Sequence, residues 1–300
     1  MLKGLALTPP IIGRISIGKM VEKNGKRLPE KDDEFTITSQ VQAKDGWVPH
    51  PVDESLRVPG TKLRSIPVQL LFSEPSLNLR ASYSLFDRGS GRPLCVGNGE
   101  TCRRSTAGGM ETLPCPSPVG CKLAIEGGCK PYGRLNVRIG DDDAFGSFIF
   151  RTTGFNSIRT LAARLQYFHS ASGGMLATLP LELRLRGKST TLSHRAPVYY
   201  VDLTERAGMS IFDAIQQARA EQEKRASLGF DQVALDRAAG VGLAAGEFED
   251  SEEETGWIIE EFAFADVAIE GNAQAATGTH AKSTLRAKLA AKASEFTVRA

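Results

Sequence analysis

The sequence predicts an α+β protein: a mixed, mainly antiparallel β-sheet core with one or two helices and an inserted cysteine-rich zinc knuckle. Three observations carry that expectation. Short stretches that alternate apolar and polar residues recur on both sides of a Gly- and Pro-rich segment. One longer stretch after it has apolar residues at three- and four-residue steps. All five cysteines fall between positions 95 and 129. With 41% apolar residues in 300, there is enough material for a real core in one large or two smaller domains. The texture divides the chain into a body at 1–228, with a cysteine-rich insertion at 95–132, and a low-complexity tail at 229–300 that is acidic and then Lys- and Ala-rich.

The first strands are expected at 10–18 and 34–41, paired across a charged loop. Two more follow at 63–72 and 77–86, the first demoted to a sheet edge by Pro67, which cannot donate to a ladder. Beyond the cysteines, Arg134-Leu-Asn-Val-Arg-Ile139 and Gly146-Ser-Phe-Ile-Phe-Arg-Thr152 read as a hairpin around Asp141-Asp-Asp143, a solvated acidic turn. Asn156 then caps a helix in which Phe155, Ile158, Leu161, Ala162, Leu165 and Phe168 share the apolar side, with Gly173-Gly174 ending it. Strands at 179–186 and 196–203 follow, and Ser210-Ile-Phe-Asp213 has the form of a capping box opening a second helix to about Leu228. The tail combines eight acidic residues at 247–261 with Trp257-Ile258-Ile259 and Phe262-Ala263-Phe264. This pattern reads as disordered or locally helical chain, with docking to a basic partner as the functional alternative.

Cys95, Cys102, Cys115, Cys121 and Cys129 lie amid Gly, Pro, Ser and Thr, with few large apolar residues to fold the segment. A structural metal supplies the missing energy, since thiolate ligation of zinc contributes on the order of 10 kcal/mol in small metal-dependent folds. Cys115, Cys121 and Cys129, each beside Gly or Pro, are the expected ligands. Cys95 is the preferred fourth because Cys-x-Gly-x-Gly gives a turn whose amides can point at a thiolate, and Cys102 is the alternative. An odd cysteine count in a long chain without a signal-like start speaks against a disulfide framework.

Charge is unevenly spread. Residues 1–230 hold 31 Lys and Arg against 22 Asp and Glu, whereas residues 231–300 hold 6 against 13. A basic body with an acidic tail suits an anionic partner and some self-masking. No apolar run is long enough for a membrane helix, and the start has no hydrophobic signal core, which predicts a cytoplasmic protein. Gly187-Lys-Ser-Thr190 ends like a phosphate loop, but Glu182 stands where its first glycine belongs. Gly97-Asn98-Gly99 lacks the third glycine of a dinucleotide fingerprint. His50, His169, His194 and His280 are too scattered to form a hydrolytic metal pair, so no catalytic residue is assigned and a zinc hydrolase is the least favoured reading. Arg138, Arg151, Arg159 and Arg164, with Tyr167 or Phe168 for stacking, form the candidate surface for DNA, single strands included, or for a protein partner.

From Cys95 to Leu203 the chain resembles the recombination directionality factor-like family of phages and integrative elements. The resemblance rests on Cys-Val-Gly-Asn-Gly at 95–99, Pro-Cys-Pro at 114–116, Cys121, Gly-Cys-Lys at 128–130 and Gly-Arg-Leu at 133–135. It continues through Phe150-Arg-Thr-Thr-Gly-Phe-Asn-Ser-Ile-Arg159 and Leu179-Pro-Leu-Glu-Leu183. It implies a non-enzymatic, zinc-bearing accessory protein that binds a serine integrase and switches it from integration to excision, meeting DNA directly or through that partner. Cys102 is additional to the expected four cysteines, and the tail matches nothing in the family pattern.

Overall fold

The computed structural model describes residues 10–23, 26–43, 46–87, 90–140, 146–189 and 197–245. The aspartate turn at 141–143, His194, His280 and the aromatic and acidic groups beyond 245 lie outside them.

In chain order, β1 (Ile11–Lys23) and β2 (Lys26–Ala43) form an antiparallel pair, and β3 (Gly46–Pro49) lies along β2. The short helix α1 (Pro51–Leu56) leads to β4 (Ser65–Leu70), one turn of helix α2 (Pro75–Asn78) and β5 (Leu79–Phe86). The cysteine segment contributes β6 (Pro93–Gly97), β7 (Thr101–Thr106) and β8 (Gly109–Pro114), then the short helices α3 (Ser117–Gly120) and α4 (Lys122–Gly127). Next come β9 (Lys130–Ile139), β10 (Ser147–Thr152), the long helix α5 (Phe155–Ser172), β11 (Leu181–Lys188) and β12 (Val198–Glu205). Helices α6 (Ile211–Ser227) and α7 (Gln232–Ala245) close the described chain.

The hub is β9. Leu135 faces Phe150 of β10 on one side and Leu79 of β5 on the other, while Val137 faces Phe148 and, further along that second side, Leu70 of β4. The far edge of β10 pairs in parallel with β1, setting Phe150 beside Ile15, and all other strand pairs among the described residues are antiparallel. Strand β4 carries β11, and β11 carries β12. Because side chains alternate along a strand, this register gathers Ile15, Phe35, Ile37, Ile66, Val68, Leu70, Leu135, Val137, Phe148, Phe150, Leu181 and Leu183 on one face. Ile158, Leu161, Leu165 and Phe168 of α5 are buried too, the last three within that cluster. Each such side chain contributes about 1.5–3 kcal/mol relative to leaving it in water.

The α+β class and its mainly antiparallel sheet are as the sequence predicts, and the capping box is formed: Ser210 Oγ accepts from Asp213 N at 3.2 Å while Ser210 N donates to Asp213 Oδ2 at 3.2 Å. Several details differ. Strand β4 is internal, paired with β11 and β9, rather than an edge. Pro67 is tolerated because its β9-facing side lies past the last β9 pair at Val68, where Gly140 N donates to its carbonyl instead. Gly154, not Asn156, is the cap of α5, and Asn156 uses Oδ1 to accept from Lys188 Nζ at 2.7 Å. Phe155 and Ala162 face solvent. There are also more helices than one or two, and the packed body runs past the expected boundary at 228. Helix α7 buries Ala239 against Phe72 and Leu77, and its Asp236 accepts from Ser73 N at 3.1 Å. No helix among the described residues is long and apolar enough to cross a membrane.

Candidate metal centre and basic faces

The cysteine segment is a three-stranded extension of the sheet, not an irregular knuckle of loops. Cys95 lies in β6 and Cys102 in β7, and Gly97 is the register partner of Cys102. Cys115 follows β8 directly, Cys121 joins α3 to α4, and Cys129 follows α4. The β6–β7 turn closes through the Asn98 side chain, whose Oδ1 accepts from Glu100 N at 2.8 Å and Thr101 N at 2.9 Å. The amides of Glu100 and Thr101 are therefore committed to Asn98.

The fold nevertheless draws all five cysteines together. Cys95 and Cys102 are buried with Leu85, and Cys115 and Cys129 pack against that cluster with Leu113 and Leu123. Gly97 makes room for this: a Cβ there would lie 2.7 Å from Cys102 Cβ and 2.8 Å from Cys115 Sγ. Burial, followed by Cys95 beside it, pushes the Cys102 thiol up to about 11. Burial, followed by the charges of Cys95, Cys115, Cys121 and Cys102, pushes Cys129 up to about 12. Arg104 reaches into the same space. Its Nη2 lies 3.8 Å from Cys121 Sγ, and its guanidinium is held above its ordinary value first by a hydrogen bond to Cys95.

Uncompensated thiolates are thus disfavoured at Cys102 and Cys129, and a cation among the sulfurs would relieve that penalty. A set of soft sulfur donors suits a tetrahedral, thiolate-preferring divalent ion. As they stand, no three or more His, Cys, Asp or Glu side chains among the described residues are set in ligating geometry. The donor chemistry fits such an ion, then, while the sulfurs are neighbours rather than a finished tetrahedron. Cys102, at 3% exposure, is buried more deeply than Cys95 at 8%, so burial gives no ground for excluding it.

The four arginines singled out in the sequence do not share one surface. Arg138 and Arg151 project from the sheet on the side away from Leu135 and Phe150, together with Arg134 and Arg80 by register, and Arg138 Nη2 donates to Gln69 Oε1 at 2.8 Å. Helix α5 lies on the other side, since a Cβ at Gly133 would meet Ile158 Cγ1 at 2.8 Å. Arg159 and Arg164 ride on that helix, both exposed. Tyr167 is exposed, whereas Phe168 belongs to the core.

A second basic set escaped the sequence reading although its signal was present. In Glu182-Leu-Arg-Leu-Arg-Gly-Lys188 the charged residues alternate, so Arg184, Arg186 and Lys188 share the face of β11 opposite its buried leucines. Gly187 and Lys188 are the last residues of that strand rather than part of a phosphate loop.

A family model described as Gp3-like, recombination directionality factor-like, matches residues 12–206, from β1 to just past β12. No curated relative and no solved structure matches the chain.

Proposed function

The chain belongs to the recombination directionality factor-like family, and from that premise we propose that it is a non-catalytic accessory factor that binds a serine integrase of its mobile element and controls the direction of recombination. The observation that carries the reading is the convergence of five cysteines inside the matched span. Four of them, Cys115, Cys121 and Cys129 with Cys95 or Cys102, would hold a zinc ion. Such an ion supplies folding energy to a segment whose own apolar cluster is small. Closed by four sulfurs, the site would have no open position for water, which is what separates a structural centre from a hydrolytic one. The chain's own contribution is a rigid platform: β6–β8 extend the sheet beyond β5 and present a surface to the integrase.

The test is reconstitution with the serine integrase of the same element. The full chain should co-elute with the integrase, raise excision and suppress integration. It should carry about one zinc per chain, lost on Cys115→Ser, Cys121→Ser or Cys129→Ser. Absence of binding together with unchanged recombination in both directions would reject the function. Stoichiometric zinc retained in the Cys121→Ser protein would reject the ligand set.

A further inference from the structure

The face formed by β11, β12 and α5 is built around a buried carboxylate that holds cations rather than cancelling them. Asp202 is 3% exposed, yet it accepts from Arg164 Nε through Oδ1 at 3.0 Å and from Arg186 Nε through Oδ2 at 2.8 Å. The two arginine side chains are themselves 48% and 43% exposed. Both contacts use Nε, and the paired Nη groups of these two guanidiniums make no hydrogen bond among the described residues. Arg184 is held on buried Glu182 as well, donating to its Oε1 through both Nε and Nη2. Lys188 is steadied by Asn156 and lies 5.8 Å from the centre of the Tyr200 ring. Arg159 is exposed one turn after Asn156 and makes no ion pair or hydrogen bond among the described residues. Five cations thus share a face whose two carboxylates are buried beneath them.

We infer that this face binds the phosphate backbone of DNA. Long cationic side chains ordinarily lose much rotamer entropy on binding, and anchoring each guanidinium through Nε removes part of that cost before the ligand arrives. The uncommitted Nη pairs of Arg164 and Arg186 offer the planar fork that phosphate oxygens accept. Arg184, Arg186 and Lys188 occupy alternate positions of an extended strand, which sets a row of charges on the order of 7 Å apart. That row suits a linear polyanion better than a single anionic group. Aromatic rings are interleaved with the cations. Tyr200 lies beneath Lys188, exposed Tyr167 is one turn from Arg164, and exposed Phe155 is one turn from Arg159. Rings so placed can meet bases or sugars beside the phosphates, which favours nucleic acid over an acidic protein segment.

The experiment measures binding of the full chain to a labelled DNA duplex, and to the matching single strand, over about 50–200 mM salt. The parent should bind with an affinity that falls steeply with salt. The variant Arg159→Gln/Arg186→Gln/Lys188→Gln should lose about 0.9 per contacted phosphate from the log–log slope on duplex, and about 0.7 on single strand, so a total loss of about 2–3. Lys122→Gln, an exposed cation on the cysteine segment, should leave the slope unchanged. A loss confined to the single strand assigns the face to unpaired DNA, and a loss on both assigns it to the backbone in general. A parent that does not bind, or a folded triple variant with the parent slope, overturns the inference. So does an unchanged DNA slope accompanied by lost binding to polyglutamate, which would make the face a dock for acidic protein. Should the triple variant fail to fold, Arg159→Gln decides alone, because that side chain has no partner to lose among the described residues; an unchanged slope there overturns the inference.

Discussion

Replacing Gly97 with alanine tests whether the cysteine cluster is as closely packed as described. Directly opposed Cβ atoms in an antiparallel pair stand about 4.5–5.5 Å apart, but a methyl on Gly97 would lie 2.7 Å from Cys102 Cβ, 2.8 Å from Cys115 Sγ and 3.0 Å from Thr101 O. Relaxed carbon contacts need about 3.5–4.0 Å, so two neighbours must retreat by roughly 1 Å at once. Neither can swing aside: one is a Cβ fixed to a paired strand and the other the sulfur of a short side chain packed against the cluster. Overpacking of this kind costs about 1–3 kcal/mol. Against it stands a gain of about 0.4–1 kcal/mol from the stiffer unfolded chain, available because Gly97 does not need a positive φ. The clash wins, and a net loss of about 1–2 kcal/mol is expected from the difference. Urea unfolding gives the stability change, and alkylation of the metal-free protein gives the local one, with Cys102 and Cys115 labelling faster than in the parent. A variant as stable as the parent or more so, with unchanged labelling, would show that β6 and β7 are not pinched together and that the five thiols are less crowded than argued.

Leu161→Ala removes a fully buried side chain from the core and should cost about 2–5 kcal/mol in urea unfolding, whereas Arg159→Ala, at an exposed position with no partner among the described residues, should stay within about 0.5 kcal/mol. Arg164→Ala should fall between them, at about 1 kcal/mol, because it strips one charge-assisted bond from buried Asp202 while leaving the one to Arg186. His50 should give the fold a pH dependence. Its Nδ1 accepts from Val52 N at 3.2 Å to cap α1, its ring meets Phe148 edge-on, and burial lowers its pKa from the ordinary 6.5. The neutral ring is favoured in the folded state, so this contribution is complete above the unfolded value and is lost as pH falls through the folded one. Between about pH 7.5 and 5.5 the parent's melting temperature should fall further than that of His50→Asn, which keeps a capping side chain without titrating there. Equal falls would refute the role.

Where side chains report directly on the backbone, the sequence was a good guide. The alternation of Arg134–Ile139 and of Ser147–Thr152 gives the faces of β9 and β10, and the Ile158, Leu161, Leu165, Phe168 series gives the inner side of α5. The capping box at Ser210 could be read from four letters. Non-local pairing could not: nothing in Ile11–Ile15 announces that it lies parallel to a strand more than a hundred residues away. Strands β6–β8 escaped notice because their order comes from backbone ladders and a small thiol-rich cluster, with few large apolar residues to set a period. Helix α7 was hidden by its composition, since a docking surface made of Ala239 looks like low complexity. The arginines were misgrouped because sequence does not say that α5 covers the opposite side of β9 from Arg138 and Arg151. The row on β11 needed only the strand period, applied to charge as well as to leucine.

Strands β5 and β9 are neighbours along Leu79–Ser84 and Lys130–Leu135, so the cysteine segment starts from and returns to two adjacent strands of the sheet it extends. Its two ends are held about 4.8 Å apart, the spacing of paired strands, whatever lies between them. For the rest of the molecule the segment is an overgrown hairpin loop, and lengthening such a loop costs only about 0.6 kcal/mol per doubling. Within this architecture the stretch is therefore an interchangeable cassette. Evolution can enlarge, trim or replace it while leaving the reading frame of the strand ladder untouched. An engineer could likewise transplant it onto another antiparallel pair with the same register, provided that the pair supplies an apolar residue in the place of Leu85.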